Sequence, residues 1–193
     1  MTLFQRRFTI ETLEKRVIIT LKRVEHFIKS YLMNDETILY VEKLVLDNLD
    51  ANGSLDLENR KLCDDGAIRL SNLEGLSQAT KLILGDNEIS DEGVAALCNS
   101  PYLSQLKTLN LKSNKITAEG AKLISQSANW SNLDQLVLKF NEIGEEGAMH
   151  LAKSEVLSNI TTLDLFRNHI GSEGAKAIKS SPNLKKLSRV RLD

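Results

Sequence analysis

Leucine recurs along this chain at a fixed interval of 27 residues, in pairs of the form Leu-x-Leu. The first leucines of the pairs are Leu55, Leu82, Leu109, Leu136 and Leu163. Each pair alternates apolar and polar positions, which predicts a short strand with one buried face. A glycine and then apolar residues at helical spacing follow each pair, and these glycines are Gly66, Gly93, Gly120, Gly147 and Gly174. The pattern therefore predicts five strand, turn and helix units from residue 52 onward.

Stacking of such units predicts a curved solenoid. Parallel strands lie about 4.8 Å apart, whereas packed helices need about 8–10 Å, so the array bends with its helices outside. Four apolar residues after the fifth helix, Leu184, Leu187, Val190 and Leu192, continue the register into a sixth strand. We therefore predict an α/β solenoid over residues 52–193, an arc with a concave parallel sheet and convex helices.

An asparagine recurs in the turn that follows four of the predicted strands, at Asn87, Asn114, Asn141 and Asn168. The unit Leu-x-x-Leu-x-Leu-x-x-Asn-x-Ile, as it stands from Leu106 to Ile116, resembles the ribonuclease-inhibitor-type leucine-rich repeat. The resemblance covers residues 52–193, and it implies that the asparagines form a ladder of hydrogen bonds to the turns of adjacent repeats. Arg60 takes this place in the first repeat, so the resemblance leaves the ladder contact open there.

Residues 1–51 lack the repeat and are predicted to form an N-terminal helical cap. Apolar residues between Leu13 and Leu32 fall on one helical arc, and basic residues such as Lys15 and Arg23 fall on the opposite arc. A second capping helix is predicted over residues 36–48, because a solenoid needs a polar-faced cap at its ends. Two alternatives stay open: a basic helix lying on an anionic membrane, and a β-hairpin built on the run from Val17 to Thr20.

Composition narrows the classes of partner and the compartment. The 25 basic and 26 acidic residues nearly cancel, which argues against a nucleic-acid-binding protein. The two cysteines are too few for a disulfide-built secreted fold, and neither a secretory signal nor a membrane-spanning stretch is evident. We expect a monomeric, intracellular, cytoplasmic protein for which membrane contact is not predicted.

Residues with catalytic or metal-binding chemistry do not converge in the repeat register. His26, His150 and His169 fall in the cap, on a helix and in a turn, and there is no phosphate-binding glycine loop or paired cysteine motif. The acidic residue before each repeat glycine is typical of a helix start, and Ser90 and Thr117 are the predicted N-caps beside it. Trp130 shares its register with leucines and is predicted to be core. No catalytic residue, metal or cofactor is therefore predicted.

The variable strand positions are the candidates for recognition, because a solenoid encodes specificity on its concave face. Acidic residues gather near the first repeat, and basic ones gather from the third repeat onward. Phe140 and Phe166 on neighbouring strands form an aromatic and arginine pattern typical of binding hot spots. The predicted partner-binding residues are Lys112, Val137, Lys139, Phe140, Asp164, Phe166, Arg167 and Arg191. The alternative is that one or both rings pack into the turns.

These observations favour a non-enzymatic protein–protein interaction module that binds a partner protein through its concave strand face. The Lys-, Asn- and Ile-bearing composition and the presence of only 2 prolines favour a short bacterial effector acting in a host cytosol. One alternative is a regulator of a small GTPase, for which more repeats and an acidic tail would be expected. The other is a membrane-surface adaptor that uses the basic N-terminal helix.

Overall fold

The computed structural model describes residue 37 and residues 39–192 of the chain. Residues from Tyr40 onward form one compact unit that contains all the predicted repeats. The predicted first capping helix, the membrane-surface alternative and the hairpin alternative fall on residues 1–36, and they lie outside the described residues. The helix predicted over residues 36–48 is present at residues 39–48 and is called α1.

The repeats alternate strands and helices in the predicted order. The strands β1 to β6 are Ser54–Asp56, Lys81–Ile83, Thr108–Asn110, Gln135–Val137, Thr162–Asp164 and Arg189–Arg191. The helices α2 to α6 are Cys63–Ser71, Asp91–Cys98, Ala118–Gln126, Gly144–Ala152 and Gly171–Lys179. Three short 3₁₀ helices, Glu74–Gln78, Ala128–Trp130 and Val156–Asn159, lead from a helix toward the next strand.

The six strands form one parallel sheet in sequence order, β1-β2-β3-β4-β5-β6. Pairing follows the repeat register, so that Leu55 aligns with Leu82 and Leu163 aligns with Val190. Helices α2 to α6 stack in the same order, each against the next. This arrangement confirms the α/β solenoid and the sixth strand.

The core lies between the sheet and the helices. The leucines of the Leu-x-Leu pairs are fully buried. In α2, the two apolar residues that follow the repeat glycine by one and four positions are also fully buried. Helix α1 covers the first repeat, because Val41, Leu44 and Val45 are buried in the same core. Trp130 is 1% exposed, which confirms that it is core.

Helices α3 and α4 begin at the predicted caps, and each is also held by the preceding repeat. The Ser90 hydroxyl accepts the Glu92 N–H. The Asp64 carboxylate accepts the backbone N–H groups of Ser90 and Gly93 at 2.7 and 2.9 Å. A Cβ at Gly93 would lie 2.6 Å from an Asp64 carboxylate oxygen. The glycine is therefore required where one repeat caps the next helix.

A second hydrogen-bond ladder, made by serines, ties the helix ends together. The hydroxyls donate to backbone carbonyls 29 positions earlier, at 2.5–2.7 Å. The four donors are Ser100, Ser127, Ser154 and Ser181. Because Ser100 and Ser154 are buried, these bonds satisfy hydroxyls and carbonyls that water does not reach.

Candidate interaction surface

Four asparagines hold the turns from which the candidate surface projects. The side-chain oxygens accept backbone N–H groups 25 positions earlier, at 2.9–3.3 Å. The side-chain nitrogens donate to carbonyls 30 positions earlier, at 2.7–3.0 Å. The residues are Asn87, Asn114, Asn141 and Asn168. The backbone N–H of Arg60 donates to Asn87 at 2.9 Å, so the first repeat is joined to the second although it lacks its own asparagine.

Two phenylalanine rings meet on the face of the sheet opposite the helices, just after β4 and β5. The ring centroids of Phe140 and Phe166 are 5.9 Å apart with planes at 82°, an edge-to-face contact. Phe140 is 41% exposed and Phe166 is half-buried, so neither ring belongs to the core. The rings are thus held in contact with each other at the surface.

Cationic groups surround these rings. The Arg167 guanidinium carbon lies 5.7 Å from the centroid of each ring. The Lys139 ammonium lies 5.8 Å from the Phe140 centroid, and the Arg191 guanidinium carbon lies 5.2 Å from that of Phe166. Such distances allow cation–π attraction. Lys139, Phe140, Phe166, Arg167 and Arg191 are together called the aromatic–basic patch.

The two other predicted residues of β4 and β5 lie beside the patch. Val137 aligns with Asp164 in the sheet register and is half-buried. The Asp164 carboxylate accepts the Phe166 N–H at 3.1 Å and lies 3.7 Å from the Arg191 guanidinium. Asp164 therefore holds the turn that carries Phe166 and partly neutralises Arg191.

Lys112, also predicted to bind the partner, points away from the patch toward β1. Its ammonium donates to Glu58 at 2.7 Å and lies 3.6 Å from Asp86. The hydrogen bond to Glu58 and the nearby Asp86 charge raise the pKa of Lys112. Gly85 permits this path, because a Cβ there would lie 2.8 Å from two carbons of the lysine side chain. The structure thus brings together seven of the eight predicted residues and leaves Lys112 in an ion-pair cluster.

Phe140 and Arg167 occupy backbone positions that bulky side chains rarely take. The same position in successive repeats has φ of 57°, 56°, 52°, 59° and 56°, in the left-handed region. The residues there are Asn59, Asp86, Ser113, Phe140 and Arg167. Asn and Asp tolerate this conformation, whereas for most L-residues it costs about 1–2 kcal/mol. Because successive repeats share this conformation, the repeat fold imposes it on Phe140 and Arg167.

The strain at Phe140 can be measured with two substitutions that both remove the ring. We expect Phe140→Asn to unfold with a free energy about 0.5–1 kcal/mol higher than Phe140→Ala, because Asn accepts a left-handed φ. Urea unfolding followed by circular dichroism would measure the difference. The same pair at Phe166, which has no positive φ, is the control. Equal stability of the two Phe140 variants would contradict the strain.

Among the described residues, Cys98 makes a core contact, and potential metal ligands do not cluster. Burial raises the pKa of the Cys98 thiol to about 11, so that thiol is protonated near neutral pH. The Trp130 indole N–H donates to the Cys98 sulfur at 3.3 Å, which makes the pair a core contact. Within residues 37 and 39–192, no three His, Cys, Asp or Glu side chains cluster as metal ligands. None of the described helices is long and apolar enough to cross a membrane.

Sequence comparison agrees with the observed repeats. A family described as "Leucine Rich repeat" matches residues 80–98, 103–125, 131–152 and 156–179. These segments coincide with repeats that contain β2 to β5 and α3 to α6. No curated protein matches the chain.

The solved structures that are similar to this chain include those of an internalin, a leiomodin and a tropomodulin. An internalin from Listeria monocytogenes is 34% identical with a TM-score of 0.46; the match covers 64% of this chain and 31% of the internalin chain. This chain thus spans about a third of that internalin's length. Leiomodin-1 actin-binding site 2 is 18% identical with a TM-score of 0.55, covering 76% of this chain and 86% of that one.

The C-terminal domain of a tropomodulin from Caenorhabditis elegans is 18% identical with a TM-score of 0.54, and the match covers 79% of this chain and 92% of that domain. Identities this low carry only the fold. The fold is nevertheless consistent across the repeat matches, the parallel sheet and these neighbours. The chain contains leucine-rich repeats, stacked as an α/β solenoid of the kind that serves as a protein-interaction module.

Proposed function

We propose that this protein is a non-enzymatic interaction module that binds a partner protein through the strand face of its sheet, with the aromatic–basic patch at the centre of the interface. The observation that carries the proposal is a pair of touching, partly exposed rings surrounded by cations. Aromatic and arginine side chains dominate binding energy at protein interfaces because they bury large areas at little entropic cost.

The backbone under the patch supports the same proposal. The Phe140 N–H donates to the Phe166 carbonyl at 2.9 Å, so the two rings project from turns that are bonded to each other. Asn141 and Asn168, which follow Phe140 and Arg167 in the chain, are buried and hydrogen-bonded. A rigid base lets the rings bind with little loss of conformational freedom.

The test uses a variant that removes the patch without straining the fold. In the double variant Phe140→Asn/Arg167→Asn, both positions receive the residue that stands at Asn59 in the first repeat. We expect the wild-type chain to capture a defined protein by chemical crosslinking in a eukaryotic cell lysate, and the variant to capture at least about tenfold less. Mass spectrometry would quantify the captured protein and map its crosslinks.

Ser113→Asn is the matched control, because it makes the same kind of change in the same register outside the patch. Capture by Ser113→Asn should equal that of the wild type. Equal capture of one protein by all three chains would overturn the patch as the interface. Crosslinks that map to the helices would overturn the strand face as a whole.

For the biological setting, we propose a bacterial effector with ribonuclease-inhibitor-type repeats that acts in the cytoplasm of a host cell. The 27-residue repeat and its asparagine ladder support the repeat type. The free cysteines, Cys63 exposed and Cys98 buried, support a reducing compartment. A partner found in bacterial but not eukaryotic lysate would contradict the effector role. Capture of a small GTPase would instead favour the alternative role of GTPase regulator.

A further inference from the structure

Charge is distributed unequally along the strand face. Three of the carboxylates near β1 and β2 are paired: Glu58 and Asp86 share Lys112, and Glu88 contacts Lys115 at 2.8 Å. The hydrogen bond to Lys115 also lowers the pKa of Glu88. The acidic end of the face is thus partly neutralised within the chain.

The basic end is not neutralised to the same extent. Lys139 and Arg167 lie over the rings, and among the described residues neither has a carboxylate within 4 Å, whereas Arg191 lies 3.7 Å from Asp164. Arg189 and Arg191 are both exposed, and strand alternation puts them on the same face of β6. Four cations therefore lie over β4 to β6, beside the buried carboxylate of Asp164 and the exposed carboxylate of Glu142 in the turn after β4.

From this imbalance, we propose that the patch binds an acidic peptide segment of the partner protein, an inference that rests on the proposed function. Carboxylates of the segment would pair with Lys139 and Arg167, and an apolar side chain would lie against Phe140 and Phe166. The cations are held over aromatic rings, so a carboxylate meets charges that are already oriented. The strands β4 to β6 span about 10 Å, a width that about three residues of an extended chain would cross.

Asp164 favours a peptide over a nucleic acid. Its carboxylate lies beside the rings and is 13% exposed at the side chain, so it would repel the phosphates of an oligonucleotide that stacked on them. A peptide offers backbone N–H groups as well as carboxylates and can therefore satisfy both Asp164 and the cations. The nearly balanced charge of the whole chain also differs from that of a general nucleic-acid-binding protein.

Fluorescence anisotropy with defined peptides tests the inference. The probe is a labelled peptide of sequence Asp-Glu-Leu-Asp-Glu-Leu-Asp-Glu, and its neutral counterpart is Asn-Gln-Leu-Asn-Gln-Leu-Asn-Gln. We expect the acidic peptide to bind at least about tenfold more tightly. Its affinity should fall several-fold when NaCl is raised from about 50 mM to about 300 mM, because salt screens exposed charges.

Two charge-matched variants locate the binding. Lys139→Gln/Arg167→Gln should weaken the acidic peptide about tenfold or more. Lys153→Gln/Lys185→Gln removes the same charge from exposed positions outside the strand face and should leave the affinity within about twofold of wild type. Equal affinity for the acidic and neutral peptides, or equal loss in both variants, would overturn the inference. Tighter binding of a labelled thymidine decamer than of the acidic peptide would also overturn it.

Failure of this inference can be told apart from failure of the proposed function. If Phe140→Asn/Arg167→Asn loses the captured protein while the acidic peptide binds no better than the neutral one, the interface stands and the acidic partner is wrong. If the acidic peptide binds the patch but the variant still captures the protein, the interface of that protein lies elsewhere.

Discussion

Replacement of Trp130 by alanine should lower the free energy of unfolding by about 3–5 kcal/mol. Trp130 is 1% exposed, and it fills a place where the other repeats have leucines such as Leu103 and Leu157. Its removal leaves a cavity between the sheet and the helices and ends the hydrogen bond to the Cys98 sulfur. Because this is the single tryptophan of the chain, urea unfolding should be followed by circular dichroism.

Two further variants make this prediction specific. Trp130→Leu restores the residue that the register uses elsewhere and should cost about half as much as Trp130→Ala, because part of the volume is refilled. Leu46→Ala, at a position that is 82% exposed, should change the stability by less than about 0.5 kcal/mol. A cost below about 1 kcal/mol for Trp130→Ala would mean that the third repeat is loosely packed.

The fold was predictable because each repeat places the same residue type in the same environment. A leucine 27 residues after another leucine contacts the equivalent helix and the equivalent strand of its own repeat. One correctly predicted repeat therefore predicts the others. The helix starts at Ser90 and Thr117 were predictable from their side chains alone, and both caps are confirmed. The serine ladder was missed, although Ser100, Ser127, Ser154 and Ser181 carry the 27-residue interval that would have revealed it.

The candidate surface was only partly predictable, because side-chain direction depends on contacts across several strands. The repeat register predicted that Phe140 and Phe166 lie close together. Their edge-to-face packing depends on side-chain rotamers, which the 27-residue spacing does not determine. The left-handed backbone was signalled by Asn59 and Asp86, whereas Phe140 in the same register argues against it locally. The direction of Lys112 toward β1 was not predictable, because its path depends on the missing side chain at Gly85.

Besides Trp130→Ala, the substitution Asn141→Ala has the largest expected effect on stability. It should lower the free energy of unfolding by about 3 kcal/mol. Asn141 is 5% exposed and accepts the Ile116 N–H at 3.0 Å. Its amide donates to the carbonyls of Leu111 and Leu138 at 3.0 and 2.8 Å. Asn114 and Asn168 still reach those two carbonyls, so the main cost is the buried Ile116 N–H left without an acceptor.

Asn132→Ala separates this buried contact from an ordinary asparagine hydrogen bond. The exposed Asn132 amide donates to the Ser104 carbonyl at 2.9 Å. Water can replace this hydrogen bond, so the substitution should lower the free energy of unfolding by less than about 1 kcal/mol. Because Ile116 and Asn141 belong to successive repeats, Asn141→Ala weakens the junction between them and should also lower the steepness of urea unfolding. Equal losses in the two variants would show that the ladder contributes no more than a surface contact.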